Sequence, residues 1–354
     1  MNRDDGQRPL GLMLTGRCFV NPLFDYLLIG GGLSLVTTAI LVTQPIGTDL
    51  VRPEMLPVLI LLSNSVHFAA STVRLYTKPG TRQTLPFLTT IFPLVAFAVL
   101  TLCIILAEAI GPHLQAMYLT WSPYHYAAQA YGLAVMYSYR AGCSMSLTDK
   151  RLLWWVSMLP FFYMFVSGAN TGLQWLLPVQ VSSLPAVASG LNIIGWLLTL
   201  LAFAAPVVLF AKIWSSPSGP MPLISLLMVA SNAIWWFVLS PLDAFVWATI
   251  FHGVQYIAIV IIFHVKDQVA LPDNRHSVSY HVVWFYGACL LLGYGLFNCL
   301  PFAYVLAGFG EVESILLVAA AINVHHFIVD AYIWRLKKTD SNRTIVDSGE
   351  LAPA

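Results

Sequence analysis

Ten stretches of this sequence are apolar over roughly the twenty residues that a helix needs to cross the hydrocarbon core of a bilayer. Hydrophobic residues make up 58% of the chain and charged residues only 9%, with a mean hydropathy of +0.76. So few charges cannot cover the surface of a soluble protein of this size. The sequence therefore predicts an all-α fold, a polytopic transmembrane helix bundle of about ten spans. The spans are expected near residues 22–43, 54–76, 86–108, 112–138, 152–172, 185–212, 221–239, 241–265, 280–302 and 312–336.

The seventh and eighth stretches are nearly continuous, and the residues between them predict where the chain breaks. A single helix over 221–265 would be about 67 Å long, far more than a bilayer requires. Ser240 is suited to capping a helix N-terminus, Pro241 to the first helical position, and Asp243 to completing a capping box. We therefore expect one helix to end before Ser240 and the next to begin at Pro241.

The distribution of lysine and arginine predicts the orientation of the chain. With a cytoplasmic N-terminus, 16 of the 17 basic residues fall in cytoplasmic segments, and Arg52 alone lies outside. Cytoplasmic segments of membrane proteins carry this excess of positive charge. The expected topology is ten spans with both termini in the cytoplasm, as a multi-pass protein of the cell's inner (plasma) membrane. We expect a cytoplasmic N-terminal extension (1–20), one membrane-embedded helical domain (21–336) and a polar cytoplasmic tail (337–354).

Composition also argues against several classes of function. The five cysteines are scattered and form no C-x-x-C pair, which indicates neither a disulfide framework nor a thiolate metal site. The sequence has no stripe of basic residues, so nothing in it indicates a nucleic-acid partner. The expected partners are instead the lipid bilayer and a hydrophobic small molecule or lipid.

Histidines in the middle of apolar stretches are the feature that points to a function. An ionisable side chain at that depth is costly and usually functional. The histidines of the second, fourth, eighth and tenth stretches lie 11 to 13 residues from the outer ends, and all four stretches run in the same direction. If these helices pack together, their imidazoles share one layer near the middle of the bilayer. The candidate metal ligands are His67, His125, His252 and the adjacent pair His325 and His326.

Four of these five histidines have a polar side chain one helical turn away, on the same helix face. Such neighbours can orient metal-ligating imidazoles by hydrogen bonds. A lone membrane histidine is more often an interhelical hydrogen-bond partner, but four at matched depth favour a bound metal. Three tyrosines, Tyr126, Tyr131 and Tyr256, are expected to line a pocket beside the site. The expected pairs are His67 with Ser71, His125 with Gln129, His252 with Gln255, and His326 with Asp330.

Several chemistries remain open for such a site, because imidazole suits iron, zinc, copper and nickel alike. Non-haem iron would leave positions for dioxygen and indicates an oxygenase that acts on a lipid or isoprenoid. Zinc would activate water for lipid hydrolysis, with Asp330 as a ligand or catalytic base. Haem b would make the protein an electron carrier. A transporter with a proton relay, or a structural bundle without a redox cofactor, is the remaining alternative.

The last stretch, "INVHHFIVDAYIWR", suggests a relative. His325 precedes Asp330 by five residues in an apolar helix, and histidines of earlier helices accompany it. This pattern resembles the Brp/Blh family of membrane β-carotene dioxygenases, helical proteins thought to hold one iron through histidines of different helices. The resemblance implies that His67, His252 and His325 bind iron and that Asp330 supports them, whereas His125 has no counterpart. Which member of the doublet is the ligand stays open, because the two side chains point about 100° apart on a helix.

Other polar residues are expected to lie outside the site. Arg74 and Arg140 sit at inner helix ends, where long basic side chains can reach lipid phosphates. Asp25 lies near the cytoplasmic end of the first stretch and is expected to be solvated or to cap the helix. His264 lies about 18 Å from His252 along the same helix.

Overall fold

The computed structural model describes residues 15–43, 53–168, 171–215 and 221–334, together with Asn342, Ile345 and Val346. In these residues all regular secondary structure is helical, as the sequence predicts. Most of the predicted N-terminal extension, the basic residues Arg52 and Arg335, and nearly all of the predicted tail lie outside the described part of the chain.

Eleven long helices make up the bundle in the described residues, and they are numbered here in chain order. Short helical turns, such as Thr81–Thr84 and Gly172–Leu176, connect some of them. The long helices are α1 (Pro22–Ile29), α2 (Gly32–Thr43), α3 (Leu56–Thr77), α4 (Phe87–Ile105), α5 (Ala107–Arg140), α6 (Leu147–Ser167), α7 (Pro185–Trp214), α8 (Leu223–Val238), α9 (Pro241–Val269), α10 (Val278–Leu306) and α11 (Glu311–Ile333).

Six of these helices are long and apolar enough to cross a membrane, namely α3, α4, α7, α9, α10 and α11. The pair α1 and α2 would add a seventh span if it is counted as one broken span, bent by 55°. Each of the other expected stretches also contains a helix, although α8 has only 16 residues and α5 and α6 do not meet the same test. The chain is therefore a membrane-like helical protein, and the count of ten spans stays a prediction.

The break between α8 and α9 lies where the capping pattern predicts it. α8 ends at Val238, and α9 begins at Pro241 with Ser240 as its N-cap. The Ser240 hydroxyl accepts a hydrogen bond from the Asp243 backbone N–H at 3.3 Å and donates one to the Asp243 carboxylate at 2.6 Å. These bonds satisfy groups that a helix start would otherwise leave unpaired.

Helix α9 is the centre of the bundle, and α7 lies at its periphery. In the most apolar part of each helix, 78% of α9 but only 17% of α7 is buried inside the protein. A helix that is apolar all round and exposed on the bundle surface fits a position against lipid. Because α9 contacts α3, α8 and α10, its side chains hold the middle of the fold.

Candidate metal centre

Four histidines from four different helices converge in the interior of the bundle. His67 lies on α3, His125 on α5, His252 on α9 and His326 on α11, and all four are buried. One ring nitrogen from each lies within 4.8 Å of those of the others. The layer expected from their depth in the sequence is therefore present, with His326 as the member from the doublet. This group is called the four-histidine cluster below.

The four imidazole rings form a closed circuit around a common centre. His67 has its ring centroid 4.3 Å from that of His326 and 4.7 Å from that of His252. His125 closes the circuit at 4.9 Å from both His252 and His326. The separation across the circuit, between His67 and His125, is 6.2 Å. A single ion could be held between these four rings.

Two glycines allow the helices to approach closely enough to form this cluster. A Cβ atom on Gly253, next to His252, would lie 3.0 Å from the Ser63 backbone carbonyl of α3. A Cβ on Gly293 of α10 would lie 2.7 Å from the Ser65 carbonyl oxygen. Both contacts fall on a π-helical turn, Leu61–Ser65, that comes just before His67. These two glycines thus allow the close helix spacing at the site.

His67 is the most unusual member of the cluster. Its side chain is completely buried, and neither ring nitrogen has a hydrogen-bond partner among the described residues. Nε2 of His252 is likewise without a partner in the described part of the chain. Buried polar atoms are nearly always paired, and an unpaired one costs about 1–3 kcal/mol. These nitrogens therefore have the environment of ligands rather than of structural hydrogen-bonding groups.

The hydrogen bonds of His326 indicate which of its nitrogens faces the cluster centre. Nδ1 lies 2.9 Å from the hydroxyl oxygen of Ser71, and that hydroxyl donates its hydrogen to the Phe68 carbonyl at 3.0 Å. Because a serine has only one hydroxyl hydrogen, the His326 Nδ1–H is the donor to Ser71. Nε2 then carries the lone pair, and it lies 3.1 Å from Nε2 of His125. Ser71 thus orients His326 with Nε2 toward the other imidazoles, the orientation that a metal ligand would need.

Asp330 lies at the edge of the cluster. Its Oδ2 is 3.4 Å from Nε2 of His326 and 3.9 Å from Nε2 of His125. Its Oδ1 accepts a hydrogen bond of 2.7 Å from the Tyr256 hydroxyl, which in turn accepts one of 3.2 Å from the Trp334 indole N–H. The carboxyl group is thereby held beside two of the imidazoles. At that distance it could act as a base there, or as a further ligand of a metal that the imidazoles hold.

His325 lies apart from the cluster, although it is adjacent to His326 in sequence. Its ring stacks on Phe92 of α4 with the centroids 4.9 Å apart, and it lines a separate cavity of about 200 Å³. Successive residues of a helix point about 100° apart, so only one member of the doublet can face the centre. The candidate ligand from the doublet is therefore His326, whereas the resemblance to the Brp/Blh family implied His325.

Of the four expected pairs, His326 with Asp330 is present, whereas the other three polar neighbours make different contacts. Ser71 contacts His326 of α11 rather than His67 of its own helix. The Gln129 side-chain amide donates to the His252 carbonyl at 3.3 Å, and that of Gln255 donates to the Ile29 carbonyl at 3.0 Å. Ser71, Gln129 and Gln255 are spaced one helical turn from their histidines, as predicted. The hydrogen-bond partners of their side chains, however, lie on neighbouring helices.

Two of the three expected tyrosines border the cluster. The Tyr126 ring lies 4.3 Å from that of His252, and its hydroxyl bonds to Thr249 at 2.8 Å. The Tyr256 ring lies 4.5 Å from that of His67. Tyr131 instead packs against a separate apolar group that includes Val156, and of the three tyrosines only Tyr256 lines the cavity beside the site.

A cavity of about 430 Å³ adjoins the cluster between α5, α9 and α11. His125 and Asp330 form part of its wall, and most of the remainder is apolar or aromatic. Sequence reasoning missed Trp121, Phe327 and Trp334, which line it. Helical spacing is the signal that would have found the two tryptophans, since Trp121 precedes His125 by four residues and Trp334 follows Asp330 by four.

The buried charges nearer the helix ends have a different character. Asp25 is fully buried and accepts hydrogen bonds from three backbone N–H groups of residues 19–21 and from the Tyr137 hydroxyl. Arg140 donates to the carbonyls of Arg17, Cys18 and Val346. Arg74 is 1% exposed and pairs with Asp267 at 3.0 Å. The expectation that these two arginines reach lipid phosphates is therefore wrong, because both side chains point into the bundle.

Comparison of the chain with models of known protein families, with curated protein sequences and with solved structures finds no match. The fold and the site alone define the class: a membrane-like helical protein with a buried four-histidine cluster that could hold a metal ion.

Proposed function

We propose that this chain is an integral-membrane metalloenzyme whose single ion is held by the four-histidine cluster, His67, His125, His252 and His326. The observation that carries the proposal is the state of His67, which is fully buried with both ring nitrogens unpartnered and within reach of three other imidazoles. A purely structural core would gain by replacing that side chain with an apolar one, since an unpaired buried polar group is costly. A bound cation would give the lone-pair nitrogen of His67 the partner that the described residues do not supply.

The proposed metal is non-haem iron, and the proposed reaction is the oxidation of a lipid or isoprenoid substrate. Neutral imidazoles are suitable ligands for iron, and the adjoining cavity brings a hydrophobic molecule against His125 and Asp330. When bound, iron would supply redox chemistry with dioxygen. The chain's own residues orient the ligands through Ser71, hold a carboxyl group beside the centre through Tyr256, and exclude water with aromatic walls. Cleavage of a carotene, as in the resembling family, belongs to this class of reaction.

Zinc-dependent lipid hydrolysis is the second candidate, and Asp330 is the observation that favours it. Its Oδ2 lies 3.4 Å from His326 Nε2, a position from which a carboxylate can act as a base for water on zinc. Haem b is less well supported. A porphyrin would have to lie between two of the histidines, whereas neighbouring rings of the cluster are only 4.3 to 4.9 Å apart.

The finer topology is part of the same proposal. Ten spans with both termini in the cytoplasm, in the inner (plasma) membrane, place the cluster near the bilayer midplane. The lysine and arginine distribution supports this arrangement. Reactivity of single introduced cysteines toward an impermeant reagent in intact cells tests it, and labelling of residue 347 from outside the cell would contradict it.

Metal analysis and an absorption spectrum of the purified protein test the function directly. One iron per chain without a Soret band supports the oxygenase, and one zinc per chain supports the hydrolase. A Soret band would mean haem. A folded, colourless protein that remains metal-free after incubation with Fe(II) or Zn(II) would contradict every metal-dependent reading and leave a structural bundle or a transporter.

Matched variants separate a metal centre from adventitious binding. His67→Leu and His326→Leu remove ligands, whereas His264→Leu and His325→Leu remove buried or half-buried imidazoles outside the cluster. We expect the first pair to lose the metal and the second pair to keep it. Equal metal content in all four variants would refute the cluster as the site. Dioxygen uptake by the iron-loaded protein with extracted membrane lipids then tests the oxygenase chemistry.

A further inference from the structure

The cavity beside the cluster is a route by which a molecule could reach the proposed ion. His67 and His326 are 0% exposed and His252 is 2% exposed. The members of the site with residual exposure are His125 at 9% and Asp330 at 7%, and both line this cavity. A reacting molecule therefore approaches from the side of His125 and Asp330, within the described part of the chain.

The cavity reaches the outer surface of the bundle at the depth of the histidines. Tyr124 and Ala331, which line it on α5 and α11, are both exposed on the surface of the protein. Tyr124 is adjacent to His125 in sequence, so this edge of the cavity lies level with the cluster. In a membrane the surface at that level faces acyl chains. The opening therefore admits molecules that are already dissolved in the bilayer.

The lining of the cavity restricts the charge and the shape of its occupant. Among the described residues none of the lining side chains is lysine or arginine, and Asp330 is the one carboxyl group. A phosphate or carboxylate head group would meet that acid with no lysine or arginine in the wall to pair with it. Five aromatic side chains form much of the wall and suit flat apolar rings, namely Trp121, Tyr124, Tyr256, Phe327 and Trp334.

We infer that the cavity between α5 and α11 binds a neutral, flat, lipid-soluble molecule that carries a hydroxyl group and enters sideways from the bilayer. The hydroxyl donates a hydrogen bond to the Asp330 carboxyl group, which places the adjoining carbon skeleton beside His125. This inference rests on the proposed function for the fate of the molecule, whereas binding itself requires only the cavity. The substrate class of the proposed enzyme is thus a hydroxylated isoprenoid or polycyclic lipid rather than a phospholipid or a fatty acid.

Two photoreactive probes test this inference, each carrying a diazirine and an alkyne. One is a monohydroxy sterol, which is neutral and flat, and the other is a straight-chain fatty acid. The full-length protein in lipid nanodiscs is irradiated with each probe, and the labelled peptides are mapped by mass spectrometry. We expect the sterol probe to label residues 121–136 and 327–334 and the fatty acid to label mainly outward faces such as that of α7. Comparable labelling of the cavity by both probes would overturn the inference.

Glycine variants supply the matched control. Gly132 lines the cavity, and a Cβ atom there would meet nothing within 4 Å, so Gly132→Leu extends into open space. Gly287 of α10 is equally open but lies outside the cavity, so Gly287→Leu adds the same side chain elsewhere. We expect Gly132→Leu to reduce sterol labelling by roughly tenfold, the factor that corresponds to about 1.4 kcal/mol of lost binding. Gly287→Leu is expected to leave labelling unchanged, and an equal loss in both would contradict the inference.

Repeating the labelling after removal of metal with a chelator separates this inference from the proposed function. Labelling that persists in a protein shown to bind no metal supports the cavity and refutes the metalloenzyme. Stoichiometric metal in a protein whose cavity is not labelled refutes the cavity assignment and leaves the metal centre intact.

Discussion

The two most polar interior regions of the molecule differ in how their polar atoms are satisfied. Near the helix ends, Asp25 accepts four hydrogen bonds, and Arg140 donates to three backbone carbonyls. In the four-histidine cluster, His67 has no partner for either nitrogen among the described residues. The first region is complete in itself and stabilises the fold. The second contains unpaired imidazole nitrogens, and these could ligate the metal ion that we propose.

The largest effect is expected from Asp25→Ala in the region that is complete. The substitution leaves three backbone N–H groups and the Tyr137 hydroxyl without their acceptor. Because hydrogen bonds to a charged group contribute about 1.5–3 kcal/mol each, we expect a loss of at least about 3 kcal/mol of unfolding free energy. Reversible unfolding in mixed micelles, followed by circular dichroism, measures it. Asp25→Asn, which keeps one acceptor oxygen, should lose less unfolding free energy. An Asp25→Ala protein as stable as the wild type would contradict the contrast drawn between this region and the four-histidine cluster.

The opposite result is expected for His67→Leu in the cluster. In the metal-free protein this variant should be as stable as the wild type or more so, because it removes an unpaired buried polar group. With metal at 100 times its dissociation constant, only the wild type should gain about 2.7 kcal/mol. Thermal unfolding with and without metal checks both statements. His264→Leu serves as the control, and an equal gain from metal in His67→Leu would show that the ion binds elsewhere.

A smaller effect is expected from Gly253→Ala, which tests whether helix approach builds the cluster. The added Cβ would lie 3.0 Å from the Ser63 backbone. Overpacking of this kind costs about 1–3 kcal/mol, and the better helix propensity of alanine offsets up to about 1 kcal/mol. We expect a net loss of about 1–2 kcal/mol in unfolding free energy together with weaker metal binding. Gly287→Ala, where nothing lies within 4 Å, should be neutral or stabilising.

The smallest effect is expected at Asp149, which lies in the first turn of α6, outside the predicted spans. Hydrogen bonds from Lys212 and Ser146 lower the pKa of this carboxyl group from its ordinary value of 3.8. A lowered folded-state pKa contributes stability that is present above pH 3.8 and is lost as the pH falls through the folded value. Lys212 is half-exposed, so the contribution should stay below about 1 kcal/mol. Unfolding measured from pH 5 downward should show this loss in the wild type and less of it in Lys212→Met.

The sequence predicts which residues form the site better than it predicts the contacts between them. Depth along apolar stretches predicts that His67, His125 and His252 share a layer, because helices that cross a bilayer have a fixed rise per residue. It does not predict the rotation of α11, which decides between His325 and His326. Nor does it predict that Ser71 serves His326, since spacing within a helix says nothing about the facing helix.

Arg74 and Arg140, whose side chains point into the bundle near the helix ends, show the same limit of prediction from sequence. Composition places Arg74 at an inner helix end, where reaching lipid phosphates is the ordinary outcome. Its actual partner, Asp267, lies almost two hundred residues away in sequence on α9. Long-range pairs of this kind depend on helix packing, which a single sequence without a known relative does not specify.

X-ray absorption at the K edge of the bound metal tests the central claim most directly. The four-histidine cluster predicts one ion per chain with a first shell of imidazole nitrogens at about 2.1 Å and no sulfur. The same measurement on His326→Leu should show loss of the ion or of one imidazole from the shell, whereas His325→Leu should match the wild type. A shell that contains sulfur, or a spectrum that is unchanged in His326→Leu, would contradict the account.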